Sequence, residues 1–437
     1  MNGQAADKII YHVDVNSAFL SWEACYRREH LGETTDLREL PSAVAGDREA
    51  RHGIILAKSV PAKKMGVKTG EPIWQAKRKC PGLILVPPDY SLYVAASRRF
   101  IALLRDYAPL VEQYSIDEAY VDVTGCRGLY GPPVEAAYEL KERIHRELGF
   151  TVNVGVSCNK LLAKMAGELE KPDKVHTLFP QEIAAKLWPL PVGELFSVGP
   201  ASQARLSGIG VTTIGQLARL EERRIRALLG RHGVEIWNYA NGRGPEELAA
   251  AVPLNKGYGN STTLPADITR PEQGCKVLLS LCETVGARLR ADGQSGRCVT
   301  VHLRTADFYD WSHQVRLEQP SDATLEIWQA ACRALRQMWR GGTPLRQLGV
   351  AVSQVSRENS RQLTLFGDRY DKLSRLDAAV DGIRRRYGED SLRRACFLQQ
   401  DGVGHMAGGL HKERRTGVTK PLDEEEEYPE DELPAEG

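Results

Sequence analysis

Apolar and polar residues alternate through Val111-Glu112-Gln113-Tyr114 and again through Ala119-Tyr120-Val121-Asp122-Val123. That two-residue period predicts a pair of half-buried strands. Between them lies Ser115-Ile116-Asp117-Glu118, so a hairpin is expected with two carboxylates at its turn. Upstream, residues 8–14 form an apolar run ending in Asp14, and residues 16–23 read as a helix start, with Asn16 or Ser17 as cap and Leu20 on the buried side. Residues 27–44 read as irregular, 54–57 and 83–86 as strands, 58–70 as a basic loop and 74–79 as a short helix. Helical spacing predicts long helices over 90–107 and 133–148. A strand over 151–157 follows, then a helix over 159–166 that ends near Lys171-Pro172. This order suits an open sheet with helices on one face.

The second half of the chain changes pattern. Residues 187–220 read as short helices around a Gly-rich turn, and 240–260 as a linker rich in Gly, Pro and Asn. An α/β pattern then returns, with helices over 271–291 and 322–339 and strands over 298–304, 312–317 and 345–355. A last helix, rich in Arg, covers 372–388, and 410–420 is a basic segment. The fold class is therefore multidomain α/β (α+β). At 437 residues, about two to four domains are expected.

Composition narrows the picture only where it is uneven. Net charge is +1, yet residues 421–437 hold 9 acidic and no basic residues, leaving 58 basic against 48 acidic before them. A basic body with an acidic, disordered tail is expected, and a basic body fits a polyanionic partner. The 9 cysteines include no Cys-x-x-Cys pair, which argues against a zinc site or a disulfide framework. No apolar run reaches membrane-span length, and the first residues carry no signal-peptide core, so a cytoplasmic protein is expected.

Candidate chemistry gathers around the hairpin. Adjacent carboxylates repel unless a cation separates them, and oxygen-only ligands suit Mg²⁺. On that stretch alone a metal site and a solvated turn are equally consistent. Asp14, at a strand end before a helix, is a second acid of this kind. The four lysines of 58–70, with their Ser and Thr hydroxyls, suit a triphosphate.

These pieces together resemble the Y-family translesion DNA polymerases, and the DNA polymerase IV-like branch most closely. The matching residues are Asp14 with its helix, Ser115-Ile116-Asp117-Glu118-Ala119, the run from Val154-Gly155-Val156-Ser157 to Asn159-Lys160-Leu161 with Ala163-Lys164, and Lys171-Pro172. The likeness extends over about residues 8–366. It implies a right-hand polymerase with a ferredoxin-like palm (1–17 and 84–179), small fingers (18–83), a helix-hairpin-helix thumb (180–248), a linker (249–260) and an α/β little finger (261–357). Residues 358–437 would hold a clamp-binding peptide, a basic helix and the tail.

By the same resemblance, Asp14, Asp117 and Glu118, with the carbonyl of Val15, hold two Mg²⁺ ions, which Mn²⁺ can replace. Two ions roughly 4 Å apart neutralise the attacking and leaving oxygens of phosphoryl transfer. Phe19 stands at the steric gate against a ribose 2′-hydroxyl. Lys63 and Lys171 contact the dNTP, although Val60 and Lys63 stand where the family usually shows Tyr and Arg, and Asn16 where Asp is frequent. Gly199, Gly208 and Gly210 would offer backbone N–H groups to DNA phosphates, and Arg297, Arg304 and Arg316 would offset phosphate charge. Gln362-Leu363-Thr364-Leu365-Phe366 resembles the peptide that docks on the bacterial sliding clamp, through Gln362, Leu363, Leu365 and Phe366. The implied activity is low-fidelity, template-directed synthesis past damaged template by a monomer bound to primer-template DNA. The alternative is a catalytically silent DNA- and clamp-binding protein, which would not need the three carboxylates.

Overall fold

The computed structural model describes residues 8–46, 53–249, 254–357, 370–388 and 391–398. The central strand is β1 (Ile10–Val15), buried at all six positions. After it come α1 (Ala18–His30), β2 (Ser42–Ala45), β3 (Ile55–Lys58), α2 (Val60–Lys64), α3 (Ile73–Lys79), β4 (Ile84–Val86) and α4 (Tyr90–Tyr107). Next are β5 (Leu110–Gln113), β6 (Glu118–Asp122), α5 (Arg127–Tyr130), α6 (Pro133–Leu148), β7 (Val152–Ser157), α7 (Lys160–Glu168) and β8 (Val175–Thr177).

The first sheet runs β5-β6-β1-β7-β8. It is antiparallel except at its β7–β8 edge. Tyr11, Val13 and Val15 turn one face of β1 into a core with Leu20, Trp22, Phe100, Leu104 and Ile144, from α1, α4 and α6. Ile10, His12 and Asp14 turn the other way. There Ile10 and Tyr120 pack on Ala163 of α7. Helices therefore cover both faces, not the one expected, and β1 and β7 are buried at every position. Leu20 and Trp22 of α1 join the first of these cores.

Gly155 explains how closely α7 lies. A Cβ there would stand 1.9 Å from the Ala163 carbonyl oxygen and 2.4 Å from the Gly167 nitrogen. Both obstacles are backbone and cannot rotate aside. Gly155→Ala should cost about 3 kcal/mol, the upper end of ordinary overpacking. Chemical denaturation should show a lowered midpoint with an unchanged slope.

A second sheet, β3-β2-β4, closes a small core of Ala43, Ile55, Ala62, Val67 and Ile73. Two expectations change here. The irregular stretch over 27–44 contains the end of α1 and the start of β2. The basic loop contains α2, nucleated by Ser59, whose Oγ accepts from the Ala62 N–H at 3.1 Å. Ser17 precedes α1 in a left-handed conformation (φ 49°) and makes no side-chain cap bond.

Single-turn helices then lead to α8 (Pro200–Ser207), α9 (Ile214–Ala218) and α10 (Glu222–Ala240). Their core takes in Leu161, Leu162 and Met165 of α7, so α7 belongs to two cores at once. The last unit contains β9 (Gly257–Ile268), α11 (Pro271–Ala291), β10 (Ser295–Thr305), β11 (Asp310–Ser321), α12 (Thr324–Met338), β12 (Leu345–Ser356) and α13 (Tyr370–Tyr387). Its antiparallel sheet runs β11-β10-β12-β9, with apolar residues of α11 and α12 packed against it. Strand β9 starts inside the expected linker. Gly257, Gly259, Asn260 and Ser261 read as turn residues, yet they pair with β12 as an edge strand. Helix α13 is fastened to this unit by buried ion pairs. Arg290 meets Asp381 at 2.6 Å and Asp377 at 3.3 Å, and Glu283 meets Arg384 at 3.1 Å and Arg394 at 2.6 Å. No described helix is long and apolar enough to cross a membrane.

Candidate active site

The three carboxylates meet at one end of the β1–β6 pair. Asp14 lies directly opposite Glu118 in the register, and the next residue, Val15, donates its N–H to the Asp117 carbonyl at 3.0 Å. The turn needs neither Gly nor Asn because it is pinned from inside. Ile116 is buried, and its carbonyl accepts the Ser97 hydroxyl at 2.5 Å. Ser115 Oγ donates to Asp117 Oδ1 at 2.6 Å, which holds the Asp117 carboxylate at the tip.

Their electrostatics differ. Burial pushes Asp14 up to about 7, against the pull of the Lys171 ammonium, and the nearby Glu118 and Asp117 charges add to the rise. Burial also raises Asp117, against the Ser115 hydrogen bond, with Glu118 again adding. Glu118 goes the other way. Burial opposes its charge, but the His12 hydrogen bond and the Lys164 ammonium outweigh that and bring it to about 2. Each acid thus feels its neighbours, as groups sharing one small volume must.

Lysines meet two of them. Lys171 Nζ donates to Asp14 Oδ2 at 2.5 Å and Glu168 Oε1 at 2.8 Å. Lys164 Nζ and His12 Nε2 both meet Glu118 Oε2, at 2.5 and 3.1 Å. Among the described residues no group of three His, Cys, Asp or Glu side chains is arranged so as to hold a metal ion as it stands. The donor set is nonetheless oxygen-only and anionic, which suits a hard divalent cation. A cation entering there would compete with the two lysines for Asp14 and Glu118.

Asn16 proves to be a structural pivot. Its Oδ1 accepts from Thr151 Oγ1 at 3.0 Å and the Asp173 N–H at 2.9 Å, and its Nδ2 donates to Asn153 Oδ1 at 3.0 Å. Asn153 in turn donates to the Gly167 carbonyl at 3.0 Å and the Glu170 carbonyl at 2.6 Å. The two carboxamides bind both sides of the segment carrying Lys171. Asn153 escaped the sequence reading, although a polar residue in an apolar strand is the signal that marks it.

Phe19 is half-buried on α1. Its ring stacks on Tyr93 (centroids 4.5 Å apart, 12° between planes) and meets Tyr90 edge-on at 6.0 Å. Lys63 is exposed on α2, and among the described residues no ion pair joins it to the carboxylates. Lys58, which was not singled out, lies close enough to Lys63 that burial and the neighbouring ammonium together lower its pKa. Its Nζ donates to Thr69 Oγ1 at 2.9 Å.

Comparison with known proteins decides the family. Residues 13–168 match the impB/mucB/samB family, and residues 255–365 match its C-terminal domain. DNA polymerase IV of Clostridium acetobutylicum is 43% identical over 396 residues, covering 90% of this chain and 99% of that relative. DNA polymerase IV of Acetivibrio thermocellus is 37% identical, with 91% of this chain and 100% of the relative covered. The chain belongs to the DNA polymerase IV family. Its reaction class is DNA-directed DNA synthesis. DNA polymerase IV 2 of Bacillus subtilis is a further relative, 36% identical over 91% of this chain and 96% of its own length. A solved Y-family DNA polymerase chimera shares the fold, with a TM-score of 0.66 at 24% identity, covering 79% of this chain and 99% of the chimera.

The remaining candidate residues of this DNA polymerase IV family member lie outside the β1-centred sheet and its helices. Gly199 precedes α8, Gly208 ends it, and Gly210 (φ 80°) closes the turn. The Gly208 and Gly210 N–H groups are already donated inside the turn, each at 3.0 Å, to Ala204 and Ser207 carbonyls. Gly199 and Gly210 do leave open space where a side chain would stand.

On the last sheet Arg304 is paired across the strands with Asp310, at 2.7 and 2.9 Å, which offsets the charge expected to be free. Arg297 donates to the Glu318 carbonyl at 2.8 Å, while Arg316 is exposed opposite Cys298. The face away from the helices carries small residues, among them Gly259, Ser261, Gly349 and Ala351, which line a shallow cavity of about 430 Å³ with His302. Gln362, Leu363, Leu365 and Phe366, like the acidic tail and the basic segment over 410–420, lie outside the described residues.

Proposed function

We propose that this chain extends a DNA primer along a template, including past damaged bases, by two-metal phosphoryl transfer from a dNTP. The observation carrying this reading is the convergence of Asp14, Asp117 and Glu118 at one strand end, with Phe19 on the helix that follows Asp14. Asp14, Asp117, Glu118 and the Val15 carbonyl would hold two Mg²⁺ ions, or Mn²⁺ in their place. The ions supply charge neutralisation at the attacking and leaving oxygens. The protein's own part is placement. Lys171, half-buried beside Asp14 and held by the Asn16–Asn153 pair, would shift its ammonium onto the triphosphate as a cation takes over Asp14. Lys63 and Lys58 would add positive charge without the bidentate geometry of an arginine. Phe19, backed by Tyr93, would form the floor beneath the sugar.

The small-residue face of the last sheet lets a DNA backbone approach closely, with Arg316 and Arg297 at its margin. The helical unit would contribute the open turn at Gly199 and Gly210. A monomer working in the cytoplasm at a sliding clamp completes this reading. Primer extension on a primed template tests it: synthesis should require Mg²⁺, stop with a chelator and continue across a defined lesion. No extension under any of these conditions would favour the silent DNA-binding alternative. Replacing Leu365 and Phe366 with Ala should abolish clamp binding in a pull-down on immobilised clamp. Extension without the clamp should be unchanged.

A further inference from the structure

Lys164 sits in a box with walls from two units of the fold. Its ammonium is 5.3 Å from the Tyr114 ring centroid, at the foot of the carboxylate hairpin. It is 5.7 Å from the Phe196 ring, contributed by the helical unit. The two rings meet edge-on at 6.5 Å, and Tyr239 of α10 backs Phe196 at 6.1 Å. Ser197 follows Phe196 with φ 70°, a left-handed turn in a residue other than glycine. That turn directs the chain back at the point where the ring reaches the palm.

The open side of the box is closed by Glu118. Lys164 Nζ and His12 Nε2 both engage Oε2, and among the described residues no partner is found for Oε1. One oxygen is thus fixed and the other is presented. The lysine side chain is only 11% exposed. An ammonium with aromatic walls has few waters, so its charge is directed at the one carboxylate in reach. Removing the Phe196 wall would let water hydrate Lys164, weaken its hold on Oε2 and free Glu118 to rotate.

We infer that Phe196 of the helical unit is a positioning residue for Glu118, acting through Lys164. The seating of that unit on the palm thereby sets how well the carboxylates bind a divalent cation. This rests on the metal-binding reading above. Helix α7 makes the joint firm, since Asn159 Nδ2 donates to the Gly242 carbonyl at 3.0 Å and the Lys160 N–H to the Pro245 carbonyl at 3.0 Å.

The test is Mn²⁺ binding, followed by the loss of the free-ion electron paramagnetic resonance signal. It uses the full chain bound to primer-template DNA with a non-extendable primer and a dNTP. Phe196→Ala should weaken Mn²⁺ binding about tenfold, as loss of an outer-shell support does. DNA affinity should stay within about twofold, since the ring faces palm groups. Phe196→Tyr, which keeps the ring, should restore Mn²⁺ binding, and Phe196→Leu, which keeps apolar bulk without the π face, should not. Wild-type Mn²⁺ affinity in Phe196→Ala and Phe196→Leu would overturn the inference. A parallel loss of DNA and Mn²⁺ binding would also overturn it, by showing a general defect. If wild type binds no Mn²⁺ while still binding DNA, the metal reading itself fails and takes this one with it.

Discussion

Replacing Asp117 and Glu118 together with Ala should reduce primer extension by about three orders of magnitude or more while DNA binding survives. Asp117 sits at the tip of the hairpin and Glu118 faces Asp14 across β1–β6. The pair contributes most of the anionic charge at that strand end. Removing both leaves Asp14 with Lys171 and too little charge to hold two divalent ions. The proposed DNA surface lies on other elements, so fluorescence anisotropy with labelled primer-template should return a near-normal affinity. The double variant also strands Lys164 inside its box and His12 in the core, which costs stability. Asp117→Asn with Glu118→Gln is therefore the companion variant. It keeps volume and hydrogen-bonding capacity while removing charge, and it should be equally inactive. Normal extension by either variant would remove the metal-site assignment.

The parts of this site that were legible in sequence are those with a local signature. The alternating strands around Ser115–Glu118 fixed the hairpin, and the apolar run ending at Asp14 fixed the central strand. Their adjacency came from the family resemblance and from element order, since no local pattern pairs β1 with β6. What stayed hidden depends on contacts between distant segments. Lys164 sits on a helix whose apolar stripe was plain, but its place between Glu118 and the Phe196 ring depends on how two units seat together. Asn153 escaped notice inside its strand, and only the folded chain shows it tied to Asn16. Strand β9 was lost for the opposite reason, since Gly257–Asn260 carry a strong turn signal that edge pairing overrides. Gly208 and Gly210 were singled out from the resemblance to a helix-hairpin-helix, and only the folded turn shows their N–H groups bonded to the Ala204 and Ser207 carbonyls.

The departures at Val60 and Lys63 also look different once folded. Val60 opens α2 and is partly exposed, so it cannot replace a hydrogen-bonding tyrosine. Lys58 stands near Lys63 from the end of β3, giving two compact charges where one forked guanidinium would serve elsewhere in the family. Point charges neutralise a triphosphate but orient it less. Under the proposed function, nucleotide placement would then depend more on Lys171, whose position is held by side-chain hydrogen bonds to backbone.

Phe19→Ala should admit ribonucleotides, with discrimination against them falling about a hundredfold. A hydroxyl added to the 2′ carbon can be refused only by something that occupies its space, and a flat ring packed among other rings does this without moving. Phe19 is held in that way. Tyr93 stacks at 4.5 Å, and Tyr90 and Trp22 each meet it at 6.0 Å, so the ring cannot tilt aside. Truncation to Ala opens the floor. Because the residue is half-buried, stability should fall by only about 1–3 kcal/mol. Incorporation of dNTPs should continue, since the carboxylates and Lys171 are untouched. The check is single-nucleotide incorporation with matched ribo- and deoxynucleotides on one template, compared as ratios of kcat/KM. Tyr93→Leu removes the stacked partner and keeps the Phe19 ring, so it should give an intermediate ratio. Unchanged discrimination in Phe19→Ala would assign the gate to another side chain of the same aromatic cluster, with Tyr90 next in line.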